Sequence, residues 1–191
     1  MNVSARKEAI LTARKWLAQK PVYVDTETTG TGTGDVIVEI SIIDHDGSTL
    51  VDSLVRPVGS ISPEAMAVHG ISNEMVREAR RWESVWPEVE AAFRNRVVGI
   101  YNADFDLRML QQTHQKNWLR WANPEGAQFF CIMKLYAQFY GEWNSRRGGY
   151  RWQSLDAAGK QCGIPLPNSH RAKDDTLLTQ ALLEYMARQD Y

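Results

Sequence analysis

The sequence predicts a mixed α/β fold in which helices pack against a mixed β-sheet. Three β-rich runs separated by turn signals come first, and segments of alternating helical and extended character follow them. Consecutive strands favour an antiparallel meander, whereas strands separated by helices favour parallel pairing. This order suits an α/β or an α+β arrangement. The 191 residues are enough for one domain, so we expect a helical lead-in over 1–20 and a core over 21–191.

The N-terminal stretch "MNVSARKEAILTARKWLAQK" predicts a helix over Ser4–Ala18. It is basic and mildly amphipathic, which is also typical of a mitochondrial transit peptide. Because Val22 already begins the first strand, cleavage would leave almost no lead-in. We therefore favour a helix that packs against the domain.

Three early strands are predicted in "PVYVDTE", "VIVEISIIDHDG" and "STLVDSLVRPVG", which Gly/Thr and Asp-Gly turn signals separate. A helix is expected from Ser84, the candidate N-cap, because apolar residues then recur at helical spacing. These residues are Val85, Val89, Ala92 and Phe93.

Strand and helix then alternate along the chain. "RVVGIYN" predicts a strand, "DFDLRMLQQTH" a helix, "AQFFCIM" a strand and "KLYAQFYGE" a helix. Ser154–Cys162 predicts a further helix, which Gly163 closes. One apolar stripe marks the last helix: Leu177, Leu178, Ala181, Leu182 and Tyr185.

Composition excludes several classes of protein. The formal net charge is −1, so the chain lacks the strong basic field of proteins that coat nucleic acid regardless of sequence. Cys131 and Cys162 have no CxxC spacing, which favours reduced core thiols in a cytoplasmic compartment. No apolar run approaches the roughly 20 residues that span a bilayer. We expect a soluble cytoplasmic protein with no membrane partner.

Two carboxylates, Asp25 and Glu27, lie two residues apart in "VYVDTETTG", where an apolar run ends. Residues two apart on a strand share one face, so these like charges repel each other. A shared proton, basic neighbours or a divalent cation would relieve the repulsion. No Lys or Arg lies between Lys20 and Arg56, which favours a metal.

Two later segments also place acids at junctions between elements. "VVGIYNADFDLRML" contains Asp104 and Asp106 where a strand gives way to a helix, and "SHRAKDDTLL" places His170, Asp174 and Asp175 at the start of the last helix. Each is open to a structural interpretation, as an N-cap or a first-turn acid. Ligands nevertheless gather at the ends of strands in α/β sheets.

Together the three segments resemble the DnaQ-like 3′–5′ exonucleases of the DEDDh type, a family that includes polymerase proofreading subunits, RNase T and oligoribonuclease. "VDTETTG", "YNADFD" and "HRAKDD" match the family segments in order, and "AVHGIS" is similar to a segment of the proofreading branch. The resemblance covers about Val22 to Met186. It implies an α/β, RNase H-like fold, with a three-strand meander and parallel strands flanked by helices.

The resemblance also implies the catalytic set. Asp25, Glu27, Asp106 and Asp175 would hold two Mg²⁺ or Mn²⁺ ions roughly 3.5–4 Å apart, which clamp the attacking and leaving oxygens. Asp25 would bridge the ions, and Glu27 and Asp175 would complete the one that carries the attacking water. His170 would be the general base. Further residues would contact the terminal nucleotide: Thr26, Thr28, Thr29, His69, Asn102 and Phe105. Asp104 and Asp174 match no catalytic position.

Three local features depart from the family pattern or extend it. Tyr101 replaces the usual His before Asn-Ala, and Cys131 stands where the family often has Asp. In the segment Asn144–Gln153, "NSRRGGYRWQ", arginines alternate with aromatic residues. Such a segment suits single-stranded nucleic acid, although a solvated Gly-rich loop is the simpler interpretation and the one we favour from sequence.

The expected activity is metal-dependent 3′–5′ hydrolysis at single-stranded DNA or RNA ends, with DNA favoured, releasing nucleoside 5′-monophosphates. The alternative is a non-catalytic nucleic-acid or polymerase-binding module with the same fold. His45 and His114 are predicted away from the metal, in a turn and at the end of a surface helix. Because the last helix ends close to Tyr191, we expect no polymerase tether, and activity of the isolated chain as a monomer or homo-oligomer.

Overall fold

The computed structural model describes residues 3–190, so the expected ends of the domain at 1–2 and 191 lie outside the described residues. The helices are α1 Val3–Leu17, α2 Pro63–His69, α3 Asn73–Val76, α4 Trp82–Phe93, α5 Ala103–Lys116, α6 Ile132–Tyr140, α7 Leu155–Gln161 and α8 Ala172–Arg188. The strands are β1 Val22–Thr28, β2 Ile37–Ile43, β3 Thr49–Arg56, β4 Arg80–Arg81, β5 Val97–Ile100, β6 Gln128–Cys131, β7 Trp143–Asn144 and β8 Gly149–Tyr150.

Six strands form one mixed sheet in the order β4-β3-β2-β1-β5-β6. Strands β1, β2 and β3 pair antiparallel, while β5 pairs parallel with both β1 and β6. The predicted meander followed by parallel strands is therefore confirmed. Strand β1 pairs with β2 along its length but with β5 only over Val22–Val24, so its carboxyl end extends beyond the parallel pairing.

Helices cover both faces of the sheet, and residues of β1 alternate between the two cores. Tyr23 packs with residues of α1, α6 and α8, whereas Val22 and Val24 pack with residues of α4 and α5. This alternation follows from the two-residue period of a strand. Asp25 and Glu27 continue the face of Tyr23, which is the face that α8 covers. Helix α1 contacts both α6 and α8, as predicted for a helical lead-in.

Several local expectations were wrong. Helix α4 begins at Trp82, and the Ser84 hydroxyl donates to the Arg81 carbonyl instead of capping the helix. His114 is buried instead of ending a surface helix, because the aromatic rings of Trp82, Trp86 and Trp121 pack around it. Helices α2 and α3, strand β4 and the β7–β8 hairpin were not predicted as elements. Within residues 3–190, no helix combines the length and apolar character needed to cross a membrane.

Candidate active site

The carboxyl end of β1 carries Asp25 and Glu27 on one face, both half-buried. The pairing register between β1 and β2 shifts between Glu27 and Thr28. Such a bulge ends regular pairing and turns the chain away from the sheet. The two carboxylates therefore lie at the point where β1 leaves the sheet, next to the loop that follows.

The start of α8 brings a third carboxylate to the same place. Asp175 lies in the first turn of α8 and is 5% exposed. Asn168 Nδ2 donates to Asp175 Oδ2 at 2.9 Å. The other oxygen, Oδ1, is buried and has no hydrogen-bond partner among the described residues. A buried carboxylate oxygen without a partner is costly, so this atom is available to a ligand.

Asp25, Glu27 and Asp175 form a group that can hold a cation. One carboxylate oxygen from each lies within 4.8 Å of the others. The donors are all oxygen, which suits hard divalent ions such as Mg²⁺ and Mn²⁺. The unpartnered oxygen of Asp175 and the mutual repulsion of three carboxylates both indicate that the group fits a metal ion.

The pKa values of these carboxyl groups show how costly their charges are without a cation. Burial, with the charge of Asp175 next, raises the pKa of Glu27 to about 8. Burial also raises the pKa of Asp175 to about 6, although the nearby His170 opposes the shift. The pKa of Asp25 is raised well above its usual range, first by burial and then by the charges of Asp106 and Glu27.

Asp106 lies beside this group on α5, with 3% of its surface exposed. The Thr26 hydroxyl donates to Asp106 Oδ1 at 2.8 Å, which links the middle of β1 to the start of α5. Burial raises the pKa of Asp106 to about 7. Thr26 thus orients Asp106, and the charge of Asp106 acts on Asp25.

His170 lies on the rim of a cavity of about 490 Å³ that Asp25 and Asp175 also line. The residue is exposed and has a positive φ of 52°, a conformation uncommon for residues other than glycine. Tyr101 lines the same cavity, and its hydroxyl donates to the Gln153 carbonyl at 2.9 Å. Two carboxylates and the imidazole of His170 thus line one cavity.

An ion pair between Glu39 and Arg171, neither of which was predicted as a site residue, holds the segment that contains His170. Glu39 on β2 is 4% exposed and forms an ion pair with Arg171. Arg171 is thus a basic neighbour of the acidic group, supplied from the far end of the chain. One feature of the sequence could have indicated this ion pair: Glu39 is the single charged residue in the otherwise mostly apolar run "VIVEIS". A charge is rarely buried without a partner.

A second cavity, of about 480 Å³, lies next to Glu27 and is lined by Thr26, Thr28, His69 and Phe105. His69 is buried; its Nδ1 accepts the Ile71 N–H, and its Nε2 lies 3.2 Å from the Thr28 carbonyl. Nε2 is therefore the protonated nitrogen and donates to that carbonyl. Burial lowers the pKa of His69, so the ring is neutral and fixes the loop after β1.

The remaining predicted contact residues lie elsewhere. Thr29 lines neither cavity, since its hydroxyl donates to Asp35 and accepts the Val36 N–H. Thr28 lines the second cavity, although its hydroxyl donates to the Gly30 carbonyl. Asn102 precedes α5 with a φ of 65° and lines neither cavity.

The two acids that match no catalytic position have partners outside the group. Asp104 forms an exposed ion pair with Lys134 at 2.7 Å. Asp174 accepts the Ser169 hydroxyl at 2.6 Å. Neither belongs to the group formed by Asp25, Glu27 and Asp175.

Comparison with known families identifies this constellation. The RNase_T family model, described as an exonuclease, matches residues 22–183. The chain belongs to this exonuclease family. The DnaQ-like resemblance expected from the three segments is thereby confirmed. Relatives of this exonuclease include an uncharacterized exonuclease, CP81, of Escherichia phage 186, which is 37% identical over 183 residues, or 92% of each chain.

Other relatives and solved structures agree. Exodeoxyribonuclease 10 of Escherichia coli K12 is 31% identical over 162 residues, which are 84% of this exonuclease and 65% of that protein. A structure of exonuclease X in complex with 5′ overhanging duplex DNA is 30% identical, with a TM-score of 0.65, covering 89% of this chain and 93% of that one. The predicted RNase H-like fold is therefore confirmed.

Proposed function

We propose that this exonuclease hydrolyses single-stranded nucleic acid from the 3′ end and releases nucleoside 5′-monophosphates. Residues 21–191 would form the catalytic core, with the N-terminal helix packed on it. The observation that carries the proposal is the group of Asp25, Glu27 and Asp175, with one oxygen of Asp175 buried and unpartnered. Three like charges grouped at buried and half-buried positions destabilise a fold by mutual repulsion, whereas the same arrangement suits cation binding.

Two divalent cations, Mg²⁺ or Mn²⁺, would neutralise the phosphate and activate water when bound. Asp25, Glu27 and Asp175 are the residues that would hold them, and Asp106 would complete the set from α5. Thr26 keeps Asp106 in place through its hydrogen bond at 2.8 Å. Hydrolysis needs all four carboxylates ionised, and the raised pKa values explain why they require cations to reach that state.

His170 would accept the proton of the attacking water. Its place on the rim of the cavity lined by Asp25 and Asp175 supports this role, because a general base must reach the proton it removes. His69, by contrast, uses both ring nitrogens in contacts with the backbone. Of these two histidines, His170 is exposed and His69 is buried.

The cavity beside Glu27 is the proposed site of the terminal nucleotide. Its volume of about 480 Å³ falls within the usual range of small-molecule sites. Phe105 offers a ring for stacking, and His69 fixes the backbone of Thr28, which lines the same cavity. Thr26 would contribute to this site indirectly, by orienting Asp106 through its hydrogen bond. Contacts of Thr29 and Asn102 with the nucleotide would require the loops that carry them to move.

DNA is the favoured substrate. The relatives that are at least 30% identical over more than four-fifths of this chain include one named exodeoxyribonuclease and one solved with duplex DNA. RNA exonuclease 4 of Gibberella zeae matches only 50% of this chain. The distinction between sugars depends on contacts with the 2′-hydroxyl, so DNA and RNA are compared directly in the test.

The test is digestion of 5′-labelled single-stranded DNA and RNA oligonucleotides of equal sequence in Mg²⁺. A 3′–5′ exonuclease produces a ladder of progressively shorter labelled strands, whereas the opposite polarity releases the label at once as a mononucleotide. Chelation with EDTA should stop the reaction. Binding of the oligonucleotide without any cleavage would overturn the proposal in favour of the binding-module alternative.

A further inference from the structure

The segment between α6 and α7 forms a short ordered hairpin. Trp143 pairs with Tyr150, and Asn144 pairs with Gly149. The turn is closed by Asn144, whose side-chain oxygen accepts the N–H groups of Arg146 and Arg147. The Glu142 carbonyl accepts the Arg151 N–H at 2.8 Å. We call residues 142–153 the basic hairpin. It is a defined structure and not the solvated loop that its glycines suggested.

The basic hairpin exposes aromatic rings and unpaired positive charge together. Trp143 and Trp152 are 58% and 55% exposed, which is unusual for such large apolar side chains. Arg151 is paired with Glu142 at 3.0 Å. Arg146 and Arg147 are exposed, and no carboxylate within residues 3–190 forms an ion pair with either of them. Indole rings stack on bases, and free guanidinium groups bind phosphates.

The basic hairpin is continuous with the catalytic cavity. Its last residue, Gln153, accepts a hydrogen bond from the Tyr101 hydroxyl at 2.9 Å. The next residues, Ser154 and Leu155, line the cavity together with Asp25 and His170. The cavity proposed for the terminal nucleotide is lined by Glu27, and the catalytic cavity is lined by Asp25 and Asp175, so the two cavities adjoin the same carboxylate group. A strand held at both cavities would therefore leave the site toward the basic hairpin.

We propose that the basic hairpin binds the single-stranded part of the substrate on the 5′ side of the scissile bond. Arg146 and Arg147 contact successive phosphates, and Trp152 stacks on a base. The occupant is a single strand because its bases are free to stack on an exposed indole, whereas the faces of bases in a duplex are covered. This inference rests on the proposed exonuclease function and adds where the uncleaved strand lies.

The test compares the kinetics of cleavage of a long substrate and a short substrate at the same active site. A 20-residue oligothymidylate reaches the basic hairpin, whereas thymidine 5′-monophosphate p-nitrophenyl ester reaches only the carboxylates and the adjoining cavities. The variants are Trp152→Ala and the double variant Arg146→Ala/Arg147→Ala. The matched control is Trp118→Ala/Arg120→Ala, which removes an exposed Trp and Arg at the far end of α5.

For the oligonucleotide, Trp152→Ala should raise KM by about 5- to 150-fold, the range that corresponds to loss of one stacked base. The double variant should make the dependence of log(kcat/KM) on log[salt] shallower by about 1.4, since each phosphate contact on a single strand contributes about 0.7. Cleavage of the ester should remain at the wild-type rate in both. The control variant should keep the wild-type kinetics with both substrates.

The outcomes separate this inference from the proposed function. If the wild-type protein cleaves neither substrate, the exonuclease proposal itself fails. If it cleaves both and the hairpin variants keep the wild-type KM and salt dependence for the oligonucleotide, the hairpin proposal is overturned while the exonuclease stands. The hairpin proposal would also be overturned if the hairpin variants lost as much activity on the ester as on the oligonucleotide. The same holds if the control variant lost as much activity on the oligonucleotide as the hairpin variants, because neither loss would be specific to a strand that reaches the hairpin.

Discussion

Glu39 and Arg171 join strand β2 to the start of α8 through an ion pair at the edge of the carboxylate group. Both oxygens of Glu39 lie 3.1 Å from Arg171 Nε, and Glu39 Oε2 also accepts the Ala172 N–H at 2.9 Å. Glu39 is the cross-strand partner of Glu27. The pair therefore neutralises one buried acid beside the site and fixes the residue that follows His170.

Replacement of Glu39 by Gln should lower kcat by up to about 10²-fold, because small displacements of a catalytic group can cost that much. KM for the oligonucleotide should stay near the wild-type value, since Glu39 lines neither cavity. Stability should fall by about 1–3 kcal/mol, as for loss of a buried charged hydrogen bond. Single-turnover kinetics and thermal unfolding measure the two effects.

The matched control for Glu39→Gln is Asp52→Asn. Asp52 also pairs with the start of α8, through Lys173 at 3.3 Å, but both side chains are partly exposed. Exposed pairs contribute little to stability, so this variant should keep the wild-type kcat. If Glu39→Gln changes KM alone, or if both variants behave alike, Glu39 does not position His170.

Replacement of Asp25 by Ala should abolish cleavage while the fold survives. The change removes a proposed metal ligand and also relieves repulsion with Asp106 and Glu27. In EDTA, the melting temperature should therefore hold or rise. Asp104→Asn is the control, because Asp104 is an exposed acid paired with Lys134 and should keep full activity. Near-normal cleavage by Asp25→Ala would exclude Asp25 from the catalytic set.

Replacement of His170 by Gln should reduce the single-turnover rate by roughly 10²–10⁴-fold, the usual contribution of a positioned acid–base group. Metal and oligonucleotide binding should remain largely intact. The acidic limb of the pH–rate profile should change in the variant, because the proton-accepting imidazole is gone while the carboxylates still have to be ionised. A variant that keeps both the wild-type rate and the acidic limb would rule out His170 as the base.

Without metal, stability should decrease as pH rises from about 4 to about 8. Glu27, Asp106 and Asp175 have folded-state pKa values of about 8, 7 and 6, all above their values in an unfolded chain. The folded state therefore binds more protons than the unfolded state in this window, and its stability falls as pH increases. The penalty is absent below about pH 4, and it becomes complete only as pH rises past the folded-state pKa of Glu27, about 8.

Thermal unfolding in EDTA across this pH range measures the effect, and saturating Mg²⁺ should reverse it. Bound cations favour the ionised carboxylates, so the melting temperature should then hold or rise with pH. Asp175→Asn, which removes one of the titrating groups, should flatten the profile in EDTA. A melting temperature in EDTA that increases steadily from pH 4 to 8 would contradict the origin assigned to these pKa shifts.

The acidic group could be predicted from sequence because each of its members lies in a short motif that local residues define. Alternation along a strand places Asp25 and Glu27 on one face, and the three segments carry the resemblance on short stretches of chain. The three-strand meander and the parallel strands also followed from the order of elements. The burial of His114 could not be predicted in the same way, since the rings that cover it come from α4 and from the loop after α5.

The sequence alone determined the family, the general fold and the candidate catalytic residues, because these depend on residue types at fixed short spacings. Only the tertiary structure decided what surrounds them. It paired Glu39 with Arg171 across 132 residues and linked Tyr101 to Gln153 across 52. It also turned the segment from 142 to 153 into a hairpin beside the cavity. Such contacts depend on how elements that are distant in sequence pack together. A local sequence pattern therefore does not predict which residue will pair with a buried charge or hydroxyl.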